Sequence, residues 1–121
     1  MPPSGHLIIQ VYDGVILVKI TKDRVLEAAV ISAISAELMG LLDRHPNPSI
    51  VLDMADVAYL SSAMIGKLIA LYKAVIAHKG RLAIGGVRES LVPLFKITQI
   101  DRLIKFYPEA RAAIMQFKKT A

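Results

Sequence analysis

Cysteine is absent from the chain, which removes disulfide frameworks, thiol nucleophiles and thiolate-held metals together. Such a chain suits a reducing cytoplasm, and a cytoplasmic location is the expectation. Long apolar runs are missing too: every one is cut by a charge well short of the roughly 18 residues that span a bilayer. The opening MPPSGHLIIQ has no basic segment leading into an apolar one, so neither a leader nor membrane association is expected. Clustered positive charge is also lacking. The formal net charge is +5, yet the 15 lysines and arginines are scattered and no more than two are adjacent, at Lys118 and Lys119. Nucleic-acid binders concentrate such charge on one face, so no nucleic-acid partner is expected.

Catalytic machinery is equally thin. A nucleophilic serine needs a base, but the three histidines fall at the first strand (His6), before Pro46 (His45) and toward the far end of the second expected helix (His78). They neither approach a serine nor gather into a metal site, and the chain reads as a protein that is not an enzyme, with no metal or other cofactor. Gly85-Gly86 lacks the surrounding pattern of a phosphate loop and reads as a turn. Asp53 and Asp56 could in principle bind Mg²⁺, but as two carboxylates three apart in one loop they read as solvated turn residues.

What is present is a generous apolar content, 55% of 121 residues, enough for the core of one domain over residues 1–121, with residues 1–5 as a disordered lead-in. LIIQVYDGVILVKI holds two β-rich runs around Asp13-Gly14 and predicts an antiparallel hairpin. From Leu26, apolar residues at Leu26, Val30, Ile34, Leu38, Leu41 and Leu42 predict an amphipathic helix with Glu27, Glu37 and Asp43 off the stripe, ended by Pro46 and Pro48. Ile50-Val51-Leu52, closed by Asp53, suits a central strand covered on both faces. A second helix carries Ile65, Leu68, Ile69, Tyr72, Val75 and Ile76 on one stripe and stops at Gly80 as the left-handed residue. Arg81–Ile84 completes a strand, helix, strand crossover, expected to be right-handed and parallel. The last third predicts a short helix over Glu89–Lys96, then a strand or an extended loop over Leu103–Phe106. A final helix follows, with Pro108 at its first position. The fold class is α/β: a single mixed sheet of four to five strands, hairpin first and parallel crossovers after, with about four helices.

In an open sheet with parallel strands, sites gather beyond the carboxyl ends, here DMADVAYLSSA from Asp53 to Ala63. Its adjacent serines are its most informative feature. With Ser61 as N-cap, Leu60 and Ile65 fall where a hydrophobic staple requires them, and Ser62 occupies the first helical position with its hydroxyl directed outward. Met64 cannot complete a capping box. Taken alone, the pair is explained by helix initiation.

The stretch VLDMADVAYLSSAMIGKLIALYK resembles the central segment of the STAS domain of bacterial anti-sigma factor antagonists, where a strand ending in Asp leads into a serine-bearing helix start. Downstream, KGRLAIGGVRESLVPLFKITQIDRLIKFYP is similar to the same family's closing strand, short helix and ending. The match is carried by Gly80–Ile84, by Phe95-Lys96-Ile97-Thr98 and by Asp101-Arg102-Leu103-Ile104. The resemblance implies a STAS-type single domain whose phosphorylated residue is Ser62, with Ser61 as the alternative. Here Ser61 stands where the family usually has Asp, Ala63 where a second serine can occur, and Met64 where glycine follows. Upstream, Lys22-Asp23-Arg24-Val25 replaces a more acidic turn and leaves Asp23 as its one carboxylate.

The resemblance further implies a partner-binding surface of Asp23, Asp56, Tyr59, Ser61, Ser62, Ala63 and Met64. Its expected partners are an anti-sigma factor that is also a serine kinase and a resetting serine phosphatase, with the protein itself a monomer or weak dimer. Unphosphorylated, it would hold the anti-sigma factor and release a sigma factor. The alternatives are a STAS scaffold that binds other signalling proteins without phosphorylation and a small nucleotide- or anion-binding protein using the helix start at Ser61.

Overall fold

The first element follows from one turn. Asp13 and Gly14 both adopt positive φ, 49° and 83°, as the two-residue type I′ turn requires. They join β1 (Leu7–Tyr12) to β2 (Val15–Ile20) in antiparallel register from Leu7↔Ile20 to Tyr12↔Val15. The computed structural model describes residues 5–120; most of the expected lead-in, residues 1–4, lies outside them.

After β2 the chain makes the two-residue strand β3 (Arg24–Val25), the long helix α1 (Ala28–Arg44) and the central strand β4 (Ser49–Asp53). Next come β5 (Tyr59–Leu60), α2 (Ser62–Ala77) and β6 (Arg81–Gly85). A 3₁₀ turn at Glu89–Leu91 runs into α3 (Val92–Ile97), and β7 (Lys105–Tyr107) and α4 (Ala110–Lys119) close the chain. The main sheet has the order β1-β2-β4-β6-β7 and is parallel from β2 onward. β3 and β5 form a separate parallel pair that local pattern does not predict.

Alternation along the strands sorts the core into two layers. Ile16, Val18, Ile20, Ile50, Leu52, Leu82 and Ile84 pack with α1, α2 and Phe95, while Val15, Val51 and Ala83 pack beneath Ala110, Ala113 and Phe117 of α4. Ile50, Val51 and Leu52 are fully buried, as a strand covered on both faces must be. Close approach of α4 depends on Gly85, where a Cβ would lie 2.5 Å from the Ala110 nitrogen. An edge-on contact of Phe95 with Phe106, with centroids 5.1 Å apart, ties α3 to β7.

Several local expectations shift. Leu26 precedes α1 and is exposed, whereas Glu37, expected off the apolar stripe, is buried at its edge beside Ile34 and Leu41, because the buried stripe of α1 is wider than the apolar spacing implied. On α2, Ile76 is exposed and Leu71 takes its place in the core. The helix ends in a Schellman turn whose left-handed residue is Lys79 (φ 60°), not Gly80: the Lys79 N–H donates to the Ile76 carbonyl and the Gly80 N–H to that of Val75. Gly80 is demanded instead by contact, since a side chain there would run into the Pro48 carbonyl and ring. The last strand runs two residues later than its first expected residue. The N-cap of α4 is Glu109, so Pro108 precedes the cap rather than occupying the first turn.

Candidate functional site

Parallel β2, β4 and β6 deliver their carboxyl ends to one rim of the sheet, and the connections that follow them meet there. Hydrogen bonds pin the segment after β4. The Met54 N–H donates to the Gly85 carbonyl at 3.0 Å, and Asp53 Oδ1 accepts from the Ala55 N–H at 3.0 Å, an Asx turn that commits this carboxylate locally. Arg88 Nε–H donates to the Ala55 carbonyl at 2.8 Å, holding the segment from the β6 side.

From the other side, the Asp23 carbonyl accepts the N–H groups of both Ala58 and Tyr59, at 2.8 and 3.1 Å, and the Val25 carbonyl accepts that of Ser61 at 3.1 Å. The β3–β5 pair therefore aims the chain into α2. Above it, the Arg24 guanidinium lies 4.6 Å from the centroid of the exposed Tyr59 ring. Lys19 reaches Asp56 at 3.6 Å, a solvent-facing ion pair.

At the start of α2, Ser61 has extended φ and ψ of −85° and 158° and its Oγ accepts the Met64 N–H at 3.4 Å, as an N-cap does. The same N–H also lies 3.1 Å from the Ser61 carbonyl. Ser62 is the first helical residue, exposed, and its hydroxyl has no hydrogen-bond partner among the described residues. The N–H groups of Ser62 and Ala63 likewise have no acceptor there, which leaves the positive end of the helix dipole open to solvent. Among the described residues no side chain hydrogen-bonds to the Ser62 hydroxyl. The arrangement offers an exposed, unengaged hydroxyl at a helix start.

Asp23, Asp56, Tyr59, Ser61, Ser62 and Ala63 thus share this rim. Met64 does not: it is fully buried in the larger core, because the third helical position turns inward beneath the staple of Leu60 and Ile65. Its expected part in a partner surface is corrected to a packing role. Arg24 and Arg88 belong to the rim and carry no motif of their own; the pairing of residues 24–25 with 59–60 is what brings Arg24 there. His78 sits at the opposite end of α2, its Nδ1 2.8 Å from the Ala74 carbonyl. Among the described residues no group of three His, Asp or Glu is placed to hold a metal ion, and no helix is long and apolar enough to cross a membrane.

The family model described as STAS domain matches residues 6–113. The chain belongs to the STAS domain family. Solved structures share its fold at low identity. A STAS-domain anti-sigma factor antagonist from Planctomyces limnophilus is 16% identical, with a TM-score of 0.80 over 91% of this chain and 95% of that one. An anti-sigma factor antagonist from Mycobacterium paratuberculosis is 19% identical, with a TM-score of 0.78 over 91% of each chain. SpoIIAA, also an anti-sigma factor antagonist, matches in its unphosphorylated form at 11% identity and a TM-score of 0.76, over 93% of this chain and 96% of that one. The phosphorylated form of Bacillus SpoIIAA matches at 12% and 0.65, over 88% and 95%. At such identities the likeness is one of fold. Within this STAS domain, the rim around Ser62 is the candidate site.

Proposed function

We propose that this STAS domain is an anti-sigma factor antagonist of the bacterial cytoplasm, a binding module gated by phosphorylation of Ser62. The observation that carries the reading is the division of labour at the start of α2. Ser61 is occupied as cap, while Ser62 presents an unengaged, exposed hydroxyl at the first helical position. In the unphosphorylated state the rim of Asp23, Asp56, Tyr59, Ser61, Ser62 and Ala63 binds an anti-sigma factor that doubles as the serine kinase, and a sigma factor is freed. ATP and Mg²⁺ belong to that partner, and a serine phosphatase resets the switch.

Electrostatics makes the gate workable without unfolding. A phosphate of about −1.5 to −2 charges at a helix N-terminus meets unpaired N–H groups and the favourable end of the dipole, so the domain tolerates it. The interface does not, because a dianion now occupies a patch that offered a small neutral hydroxyl. Incubation with the cognate kinase and ATP, followed by site-resolved mass spectrometry, is the test. Phosphate on Ser62 that disappears in Ser62→Ala is the expected result. Labelling confined to Ser61, or undiminished in Ser62→Ala, overturns the reading.

A second reading is an unphosphorylated STAS scaffold. It is favoured by Ser61 and by the Lys22 and Arg24 that flank Asp23, positions where the rim is less acidic than the family resemblance leads one to expect. Absence of phosphate on Ser62 in cells, with partner binding intact, selects it.

A further inference from the structure

The two edges of the sheet are built differently. β7 is three residues long and carries an exposed Lys105, the kind of short, charged edge that resists pairing with another chain. β1 is six residues long, reads LIIQVY, and has no charge, no proline and no break in its register with β2. Ile8, Val11 and Tyr12 are 50%, 56% and 43% exposed on it.

The hairpin determines which backbone groups face outward. The Tyr12↔Val15 pair closes the two-residue turn, and hydrogen-bonded pairs then alternate along the ladder. The Thr21 N–H donating to the His6 carbonyl at 2.8 Å holds the same phase at the far end. Ile8, Gln10 and Tyr12 therefore bond to β2, and the N–H and C=O groups of Leu7, Ile9 and Val11 point away from the sheet. These groups are centred on Ile9.

We propose that β1 is a homodimer interface, two copies pairing antiparallel about a two-fold axis at Ile9 to form one ten-stranded sheet. This register alone uses every outward group: Leu7 pairs with Val11 of the second copy, Ile9 with its own equivalent, and Val11 with Leu7. Exposed Val11 gains an apolar neighbour, and Ile8 lies opposite Gln10. No charge is brought against another, since the strand has none and the charges beside it are already paired: Asp13, which follows it, with Lys118 at 2.7 Å, and Lys19, opposite Ile8 on β2, with Asp56 at 3.6 Å. The symmetry closes, leaving β7 out of the contact and no route to a fibre. Six residues span only about 20 Å, so the contact falls below the roughly 1,200 Å² of a standard interface and the dimer is weak and reversible.

Sedimentation velocity on the full chain, from micromolar to near-millimolar concentration, tests this. A monomer–dimer equilibrium is expected, weakened at least about tenfold by Val11→Lys and unchanged by Leu103→Lys, an exposed apolar position off this edge. Both sites are exposed, and circular dichroism confirms that the variants fold. The cysteine-free chain also permits a clean trap. In an Ile8→Cys/Gln10→Cys double variant the opposed thiols occupy non-hydrogen-bonded pairs, with Cα atoms about 4.5 Å apart and within disulfide reach. Mild oxidation should give a covalent dimer, and Leu103→Cys should not. A monomer throughout the range, or a dimer indifferent to Val11→Lys, overturns the interface. Failure of the trap beside a Val11-sensitive dimer overturns the register at Ile9.

Discussion

Replacing Ser61 by alanine removes one interaction and leaves its surroundings in place. The Ser61 N–H still donates to Val25, and the Ser61 carbonyl still accepts from Met64 and Ile65. Only the Oγ contact to the Met64 N–H is lost, and at 3.4 Å it is long. Loss of an N-cap costs about 0.5 to 2 kcal/mol in general. Because the Met64 N–H keeps the Ser61 carbonyl at 3.1 Å and is not orphaned, Ser61→Ala belongs at the lower end, about 0.5 to 1 kcal/mol. For a domain of this size that lowers the melting midpoint by roughly 2 to 4 °C. Ser61→Asp should restore the cap and add a favourable dipole interaction of about 0.3 to 1 kcal/mol, bringing the midpoint to wild type or above. Thermal melts of wild type and both variants in one low-salt buffer make the comparison. No change in Ser61→Ala, or a failure of Ser61→Asp to recover, would show that the hydroxyl does not cap α2.

Ser62→Asp should leave the melting midpoint unchanged or slightly raised, by about 0.3 to 1 kcal/mol of dipole stabilisation, while weakening binding of the proposed anti-sigma partner by about 2 kcal/mol or more; calorimetry for both quantities on one preparation separates switching from damage. Gly85→Ala should destabilise by about 1 to 3 kcal/mol in urea, because its Cβ is driven to within 2.6 Å of the Ala110 nitrogen and Cα and α4 must move. Gly66→Ala, with open space around its Cβ in the interior of α2, should stabilise by about 0.5 to 1 kcal/mol in the same assay. The hydrogen bond and charge of Lys118 hold the exposed Asp13 carboxyl below its ordinary pKa. Their small stabilisation is therefore complete above the ordinary carboxylate range and lost as pH falls through the lowered value. An NMR titration should find the Asp13 midpoint depressed in wild type and returned toward the ordinary value in Lys118→Met.

Elements set by short-range chemistry were legible in the chain alone. Asp13-Gly14 makes its own turn, Ile50-Val51-Leu52 is apolar enough to be covered on both faces, and Leu60, Ser61 and Ile65 establish the register of α2 and hence the outward place of Ser62. Each rests on φ preferences, capping or hydrophobic spacing within a few residues, so it needs no distant partner to be read.

Contacts between distant segments were decided only by folding. Two residues, Arg24 and Val25, carry too little pattern to announce a strand, and they become one by pairing with Tyr59 and Leu60. That pairing places Asp23 and Arg24 beside the helix start. Met64 looked like part of the same surface until packing turned it inward, and Glu37 lay off an apolar stripe that proved wider than its spacing implied. At the end of α2, sequence favoured Gly80 for the left-handed turn, yet Lys79 takes it, and residue 80 is glycine for another reason: the Pro48 carbonyl and ring leave no room for a side chain there. Local preference is worth about 1 kcal/mol at such positions, and steric exclusion in a packed interior is worth more. The chain thus specified the hairpin turn and the start of α2 by itself, and the tertiary structure selected which side chains stand at the rim.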